Sequence, residues 1–156
     1  MKLLLKNKKK LDCGIIAAFN MAAWCNSPKT YEELEKLAKT CGYSPKKGIF
    51  FFQFANLIKK MKLPTKRIRS TSIQELEDKL SKGKCFVFLY TLAGEDNGHA
   101  MMVFSDHLGR FKIINPQKSR SKTWWDFAWD VQVNGVRNMA IYEIPRRKSY
   151  DDARSS

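Results

Sequence analysis

The chain has 156 residues, of which 44% are hydrophobic and 12% are aromatic. This apolar content is ample for a buried core and argues against wholesale disorder, and the length fits one domain. Only three leucines, at positions 3–5, precede the next lysines, whereas a secretory signal needs an apolar region of roughly 7–15 residues. Since no apolar run approaches the length of a membrane span, we expect a cytoplasmic protein, or one in a virion or host cytoplasm if it is viral.

The formal net charge of +14 favours a polyanionic partner: nucleic acid, an acidic membrane face or an acidic protein. Lysines and arginines gather in four clusters, "KNKKK", "KKMKLPTKRIRS", "KSRSK" and "RRK". These clusters lack the interleaved aromatic residues of a single-strand binding platform. A solubilising surface is therefore the alternative explanation of the charge.

The four cysteines lie at positions 13, 25, 41 and 85, with no close CxxC pair. This spacing disfavours a disulfide framework or a zinc finger and favours a reducing compartment. Cys25, Cys41 and Cys85 fall on predicted helix or strand faces and are expected in the core.

Helices are predicted through most of the first half of the chain. The segment "CGIIAAFNMAAWC" is apolar nearly all round, as in a central buried helix. Capping boxes at Thr30 with Glu33 and at Ser72 with Glu75 open two further helices, over residues 31–41 and 73–82. Between them, "IFFFQFANLIKKM" has a helical apolar face and ends before Pro64.

Strands are predicted through most of the second half. "CFVFLYTL" is a continuous apolar and β-branched run, which indicates a buried strand. "GHAMMVFSD", "RFKIINP" and "MAIYEI" add three strands, "DHLGR" forms a hairpin turn between the first two, and the short "TKRIRS" alternates like a strand. "TWWDFAWD" is predicted to be a short helix capped by Thr123 with Asp126.

This order, helices first and adjacent strands afterwards, predicts an α+β fold in which N-terminal helices pack on a C-terminal antiparallel sheet. No repeat or internal boundary is visible. We therefore expect one domain over residues 1–145 and a polar, basic tail over residues 146–156.

Three residues could together form a nucleophilic site. Cys13 begins the apolar helix, where unpaired N–H groups and the helix dipole stabilise a thiolate, and Gly14 beside it would allow a substrate to approach the backbone. His99 follows a glycine at the start of a strand, as a base facing a cleft would. Asn115 ends the next strand before Pro116, so the hairpin would bring it close to His99.

Each of these residues also has an ordinary structural explanation. A cysteine in an apolar helix is usually a packing residue, a histidine near a strand start is often a hydrogen-bonded structural residue, and Asn-Pro is usually a turn. His107 lies in a turn and is expected to be exposed. The other aromatic residues are expected to pack rather than to form a ligand site.

Taken in order, the segments "DCGIIAAFNMAA", "TYEELEKLAKTCG", "GIFFFQFANLIKKMKLP", "GHAMMVF" and "KIINP" resemble a papain-like cysteine peptidase. The resemblance is strongest to the C39 and C39-like group of bacteriocin-processing type, and it runs from about residue 7 to residue 144. The resemblance implies a papain-like fold that hydrolyses a peptide bond through a thioester acyl-enzyme. It implies a peptide or protein substrate and no metal or organic cofactor.

Carried over by motif, the resemblance makes Cys13 the nucleophile, His99 the general base and acid, and Asn115 the group that orients the imidazole. The C39 group usually has Asp at the third position, while the wider papain-like class uses Asn. The usual oxyanion Gln, about six positions before the cysteine, is replaced here by Asn7. In papain-like enzymes a tryptophan can shield the histidine, a role that Trp124 or Trp125 could fill.

Two alternatives to a stand-alone peptidase remain open. A catalytically inactive papain-like fold could serve as a basic structural or nucleic-acid-associated protein, for example in a viral or phage particle, as the charge and Asn7 suggest. A different hydrolase of the same superfamily, such as a cell-wall amidase, is the other. NlpC/P60-type amidases place their Cys and His closer together in sequence, which argues against that subclass.

Overall fold

The structure, a computed structural model, describes residues 2–96, 98–116 and 122–145. The helices in these residues are α1 (Cys13–Trp24), α2 (Tyr31–Thr40), α3 (Phe51–Met61), α4 (Ile73–Ser81) and α5 (Trp124–Trp129), and α5 continues into a π-helical turn at Asp130–Asn134. The predicted tail over residues 146–156 lies outside the described residues. No helix in the described part of the chain combines the length and the apolar character needed to cross a bilayer.

The strands are β1 (Lys66–Ile68), β2 (Cys85–Leu92), β3 (His99–Ser105), β4 (Phe111–Ile114) and β5 (Val136–Ile144). They form one sheet in the order β1-β5-β2-β3-β4, and every neighbouring pair is antiparallel. β2 lies in the centre and all eight of its residues are buried, which explains its continuous apolar run. The predicted α+β class and antiparallel sheet are confirmed.

Each face of the sheet carries its own core. Because side chains alternate along a strand, Val87 and Leu89 of β2 face a core shared with α1, α2 and α3. Phe86, Phe88 and Tyr90 face a second core built with α4 and α5. The chain therefore has helices on both faces of the sheet, whereas the sequence predicted N-terminal helices on a sheet without assigning the later helices to a face.

The predicted helix starts are confirmed by side-chain caps. The hydroxyls of Thr30, Ser72 and Thr123 each accept a hydrogen bond from the backbone N–H three residues later, at 3.1, 3.2 and 3.1 Å. The hairpin turn between β3 and β4 is also confirmed, since Asp106 accepts from the N–H groups of Leu108 and Arg110. These local signals set the ends of the elements that position the site.

Candidate active site

Cys13 is the first residue of α1, a helix that packs against β3. Ten of the 12 residues of α1 are buried, so the helix is held on all sides by packing. Its first turn lies beside the start of β3, where the backbone N–H of Ala100 acts on the Cys13 sulfur. Cys13 thus lies at the N-terminus of a buried helix, as the sequence predicted.

Asp12 organises the chain that leads into α1. Its carboxylate is fully buried, and Oδ2 accepts hydrogen bonds from the N–H groups of Lys8 and Lys9, at 3.0 and 2.9 Å, and from the Tyr31 hydroxyl at 2.7 Å. Burial and the hydrogen bond to Asp12 raise the pKa of Tyr31 above its ordinary value. Asp12 thereby fixes the backbone immediately before Cys13.

Gly14 has a packing role that the sequence did not reveal. A Cβ at this position would lie 2.4 Å from Cγ2 of Ile49, a distance at which one group must move. Ile49 therefore occupies the place where a Gly14 side chain would lie, and the predicted approach of a substrate to the Gly14 backbone stays a prediction. Ile49 and Gly14 both line the pocket described below.

The surroundings of the Cys13 thiol disfavour its ionised form. Burial raises the pKa of Cys13 to about 11, and the Asp12 carboxylate adds to the rise. The N–H groups of Ala100, Gly14 and Cys13 itself act in the opposite direction but do not compensate. Desolvation outweighs the lowering of the pKa that a helix N-terminus predicts, because Cys13 is a buried residue.

His99 is the first residue of β3 and precedes Ala100 in that strand, so the two side chains point to opposite faces of the sheet. His99 pairs with Tyr90 across the strands, and the two rings lie 5.4 Å apart, on the face of the second core. Ala100, the next residue, lies on the face of Cys13. His99 Nε2 lies 2.6 Å from Oε2 of Glu95, a residue of the loop before β3.

Asn115 directly follows β4 and contacts Tyr90, the residue that stands opposite His99. Its Nδ2 donates a hydrogen bond of 3.0 Å to the Tyr90 hydroxyl. β4 pairs with β3, with Ile114 opposite Met102, and the predicted proximity of Asn115 to His99 itself stays a prediction. Tyr90 therefore links Asn115 to the aromatic environment of His99.

Cys13 and His99 line one pocket of about 450 Å³ at the end of the sheet where β3 begins. Gly14 and Ala100 lie beside them on its wall. The lining also includes three cationic residues, Lys46, Lys47 and Arg137, and one anionic residue, Asp96. The charged residues of this lining are therefore predominantly cationic.

The other predicted residues lie elsewhere. Asn7 is exposed, and it is not among the described residues that line the pocket, so its oxyanion role stays a prediction. Trp124 is buried in the second core and donates to Glu77, while Trp125 is 71% exposed. His107 is exposed in the β3–β4 turn, as expected, and Cys85 is buried while Cys25 and Cys41 are half-buried.

Two residues near His99, Glu95 and Tyr90, were not among the predicted site residues. Glu95 stands four residues before the histidine in "GEDNGHAMM", and two carboxylates in a turn before a candidate base are a signal that could have been used. Tyr90 was assigned to a buried strand, and only the strand register shows that it faces His99.

The fold places a cysteine at the N-terminus of a buried helix that packs on an antiparallel sheet, and a histidine at the start of one strand of that sheet. The chain is similar to the crystal structure of the peptidase domain of Streptococcus ComA, a bifunctional ABC transporter involved in a quorum-sensing pathway. The TM-score is 0.62 at 17% sequence identity, over 94% of this chain and 100% of that domain. No protein-family model and no curated protein matches the sequence. The predicted resemblance is confirmed at the level of the fold.

Proposed function

We propose that this protein is a cysteine peptidase with Cys13 as the nucleophile and His99 as the general base and acid. The observation that carries the proposal is that both residues line one pocket, in a chain whose fold is similar to that of a peptidase domain. Nucleophilic cysteine catalysis requires a thiol and a base within reach of each other, and these two residues, 86 positions apart in sequence, border the same cavity.

The reaction follows from the two groups. His99 takes the proton from the Cys13 thiol as the sulfur attacks the carbonyl carbon of the substrate. The imidazolium then gives this proton to the amide nitrogen, whose bond to carbon breaks, and a thioester remains on Cys13. Water attacks the thioester, gives one proton to His99 and releases the carboxylic acid, and His99 returns the proton to the sulfur.

Backbone N–H groups at the start of α1 support charge at this position. The N–H groups of Cys13 and Gly14 lie close enough to the sulfur to oppose the rise in its pKa. The same donors would stabilise the oxyanion of the tetrahedral intermediate. We propose that they act there together with Asn7, and that Asn115 acts on His99 through Tyr90.

Because burial raises the pKa of Cys13 to about 11, the thiol is reactive at neutral pH only if it gives its proton to His99. The test is the rate of alkylation by iodoacetamide from pH 5 to pH 11, followed at each cysteine by peptide mass spectrometry. Cys13 should react on a plateau near neutral pH, faster than half-buried Cys25 and Cys41. In His99→Ala the plateau should vanish and the rate should rise only towards pH 11.

If Cys13 of the unmodified protein already behaves as it does in His99→Ala, the peptidase proposal is wrong. The second candidate function, a catalytically inactive fold that binds a polyanion, would then be favoured. One observation supports this candidate: the thiol is buried and neutral in a pocket with three cations, Lys46, Lys47 and Arg137.

A further inference from the structure

We propose that Glu95 is the positioning residue of His99: its carboxylate holds the Nε2–H group and leaves Nδ1 as the basic nitrogen. The catalytic consequence rests on the proposed peptidase function. The effect on the imidazole itself does not, and it can be measured separately.

The contact between the two side chains is short and partly shielded from solvent. His99 Nε2 and Glu95 Oε2 are 2.6 Å apart, and the side chains are 8% and 25% exposed. Hydrogen bonds between charged and neutral partners are strong at such distances. A carboxylate that orients a functional histidine makes such a contact with the ring nitrogen that faces away from the reacting group.

The loop between β2 and β3 holds Glu95 in place. The last paired residues of the two strands are Tyr90 and His99, so Glu95 must turn back within a few residues to face the ring. The turn is made at Gly94, whose φ of 83° is accessible to glycine, and the Glu95 N–H donates to the Leu92 carbonyl at 3.1 Å. Arg137 of β5 also donates to the carbonyl of Asp96 in this loop, at 3.5 Å.

The chemistry of the carboxylate decides the tautomer. An ionised carboxylate can only accept hydrogen bonds, so the ring nitrogen that faces it must carry the proton. A neutral imidazole has a single N–H, and placing it on Nε2 leaves the lone pair on Nδ1. When His99 becomes an imidazolium during the reaction, the same carboxylate stabilises the positive charge.

Tyr90 restricts the ring in the same orientation. Its ring is fully buried and lies 5.4 Å from the His99 ring at an interplanar angle of 37°. The Tyr90 hydroxyl is in turn bound by Asn115. In this arrangement Glu95 acts directly on the imidazole, and Asn115 acts on the tyrosine beside it.

The experiment is ¹⁵N NMR of the imidazole nitrogens, with selectively labelled histidine, at a pH where both rings are neutral. The protein has only two histidines, and exposed His107 serves as the internal reference. We expect His99 to be the Nε2–H tautomer in the unmodified protein and in Glu95→Gln, whose amide oxygen can still accept. In Glu95→Ala we expect a mixture of tautomers, while Asn115→Ala and the control Glu32→Ala, at an exposed position of α2, should keep Nε2–H.

Alkylation of Cys13 at pH 6.5 supplies the second readout. Glu95→Ala should slow it at least 10-fold, and Glu95→Gln should restore most of the rate. The proposal is overturned if Glu95→Ala keeps the Nε2–H tautomer, or if Asn115→Ala rather than Glu95→Ala changes it. Failure of the peptidase function has a different signature: Cys13 lacks the plateau in the unmodified protein, while the tautomer still depends on Glu95.

Discussion

The Nδ2 group of Asn115 donates a hydrogen bond of 3.0 Å to the hydroxyl of Tyr90. This contact joins the end of β4 to the centre of the sheet, because Tyr90 lies on β2 and stands opposite His99. Asn115 and Tyr90, which are 25 positions apart in sequence, are thus hydrogen-bonded, and the Tyr90 ring lies beside the His99 ring. Mutation of either residue can measure how much this hydrogen bond contributes to stability.

Removing either partner of this hydrogen bond should destabilise the fold through the same interaction. Asn115→Ala and Tyr90→Phe should each lower the free energy of unfolding by about 1 kcal/mol, and the double variant by less than the sum. Asn115→Asp should retain the bond, because the tyrosine hydroxyl can donate to a carboxylate. Denaturant unfolding measures the coupling, and strict additivity would contradict it.

In a peptidase assay, Asn115→Ala should lose less turnover than Glu95→Ala.

Gly14→Ala should destabilise the protein because the new methyl group meets Ile49, whose Cγ2 would be 2.4 Å away. Overpacking of this kind costs about 1–3 kcal/mol. Ile49→Ala in the same chain should remove the clash, so Gly14→Ala should cost little in that background. Thermal or denaturant unfolding of the four proteins tests this, and an equal cost in both backgrounds would show that Ile49 is not the cause.

The buried thiol should make the protein less stable at alkaline pH. The folded state holds the Cys13 proton up to about pH 11, whereas the unfolded chain releases it near the ordinary pKa of 9.0. Since the unfolded state then binds fewer protons, stability falls as pH rises between these values, by roughly 2–3 kcal/mol from this group. In Cys13→Ala, stability should therefore fall less between pH 9 and pH 11, by the amount that this thiol contributes. The two unfolding profiles should run parallel below pH 8, and parallel profiles up to pH 11 would refute the assignment.

The hydrogen bond from Tyr31 to Asp12 should contribute strongly to stability because it reaches a buried carboxylate. Asp12 is fully buried, and its Oδ1 has no hydrogen-bond partner among the described residues. Tyr31→Phe should therefore cost about 1.5–3 kcal/mol. Tyr43→Phe is a matched control, since the Tyr43 hydroxyl donates to the neutral carbonyl of Lys10 at 3.2 Å, and it should cost less. Equal losses in denaturant unfolding would argue against a special role for Asp12.

The basic surface can be tested independently of the thiol. If the lysine and arginine clusters bind nucleic acid, affinity should fall steeply with salt and depend little on base sequence. Fluorescence anisotropy with labelled single and double strands, from about 50 to 200 mM salt, measures this. Lys46→Ala with Lys47→Ala would show whether the pocket cations take part. Absence of binding at the lowest salt would favour a solubilising surface.

Much of this protein was predictable from local patterns. The caps at Thr30, Ser72 and Thr123, the apolar helix from Cys13 and the buried run of β2 each depend on neighbours within a few residues or on a simple periodicity. The antiparallel pairing of β3 with β4 followed from a short turn. These signals were sufficient to predict the fold class and to select Cys13 and His99, which the structure brings to one pocket.

Other features of the site required the tertiary structure, because they depend on distances between elements that are remote in sequence. Desolvation of Cys13 outweighs the helix N-terminus only because α1 is packed on the sheet, and Ile49 fills the space beside Gly14 only in the folded chain. The sheet register places Tyr90 beside His99, and the path of one loop turns Glu95 back onto Nε2. A sequence motif identifies the candidate side chains, whereas their protonation and orientation are set by burial and by contacts that form only when the whole chain has folded.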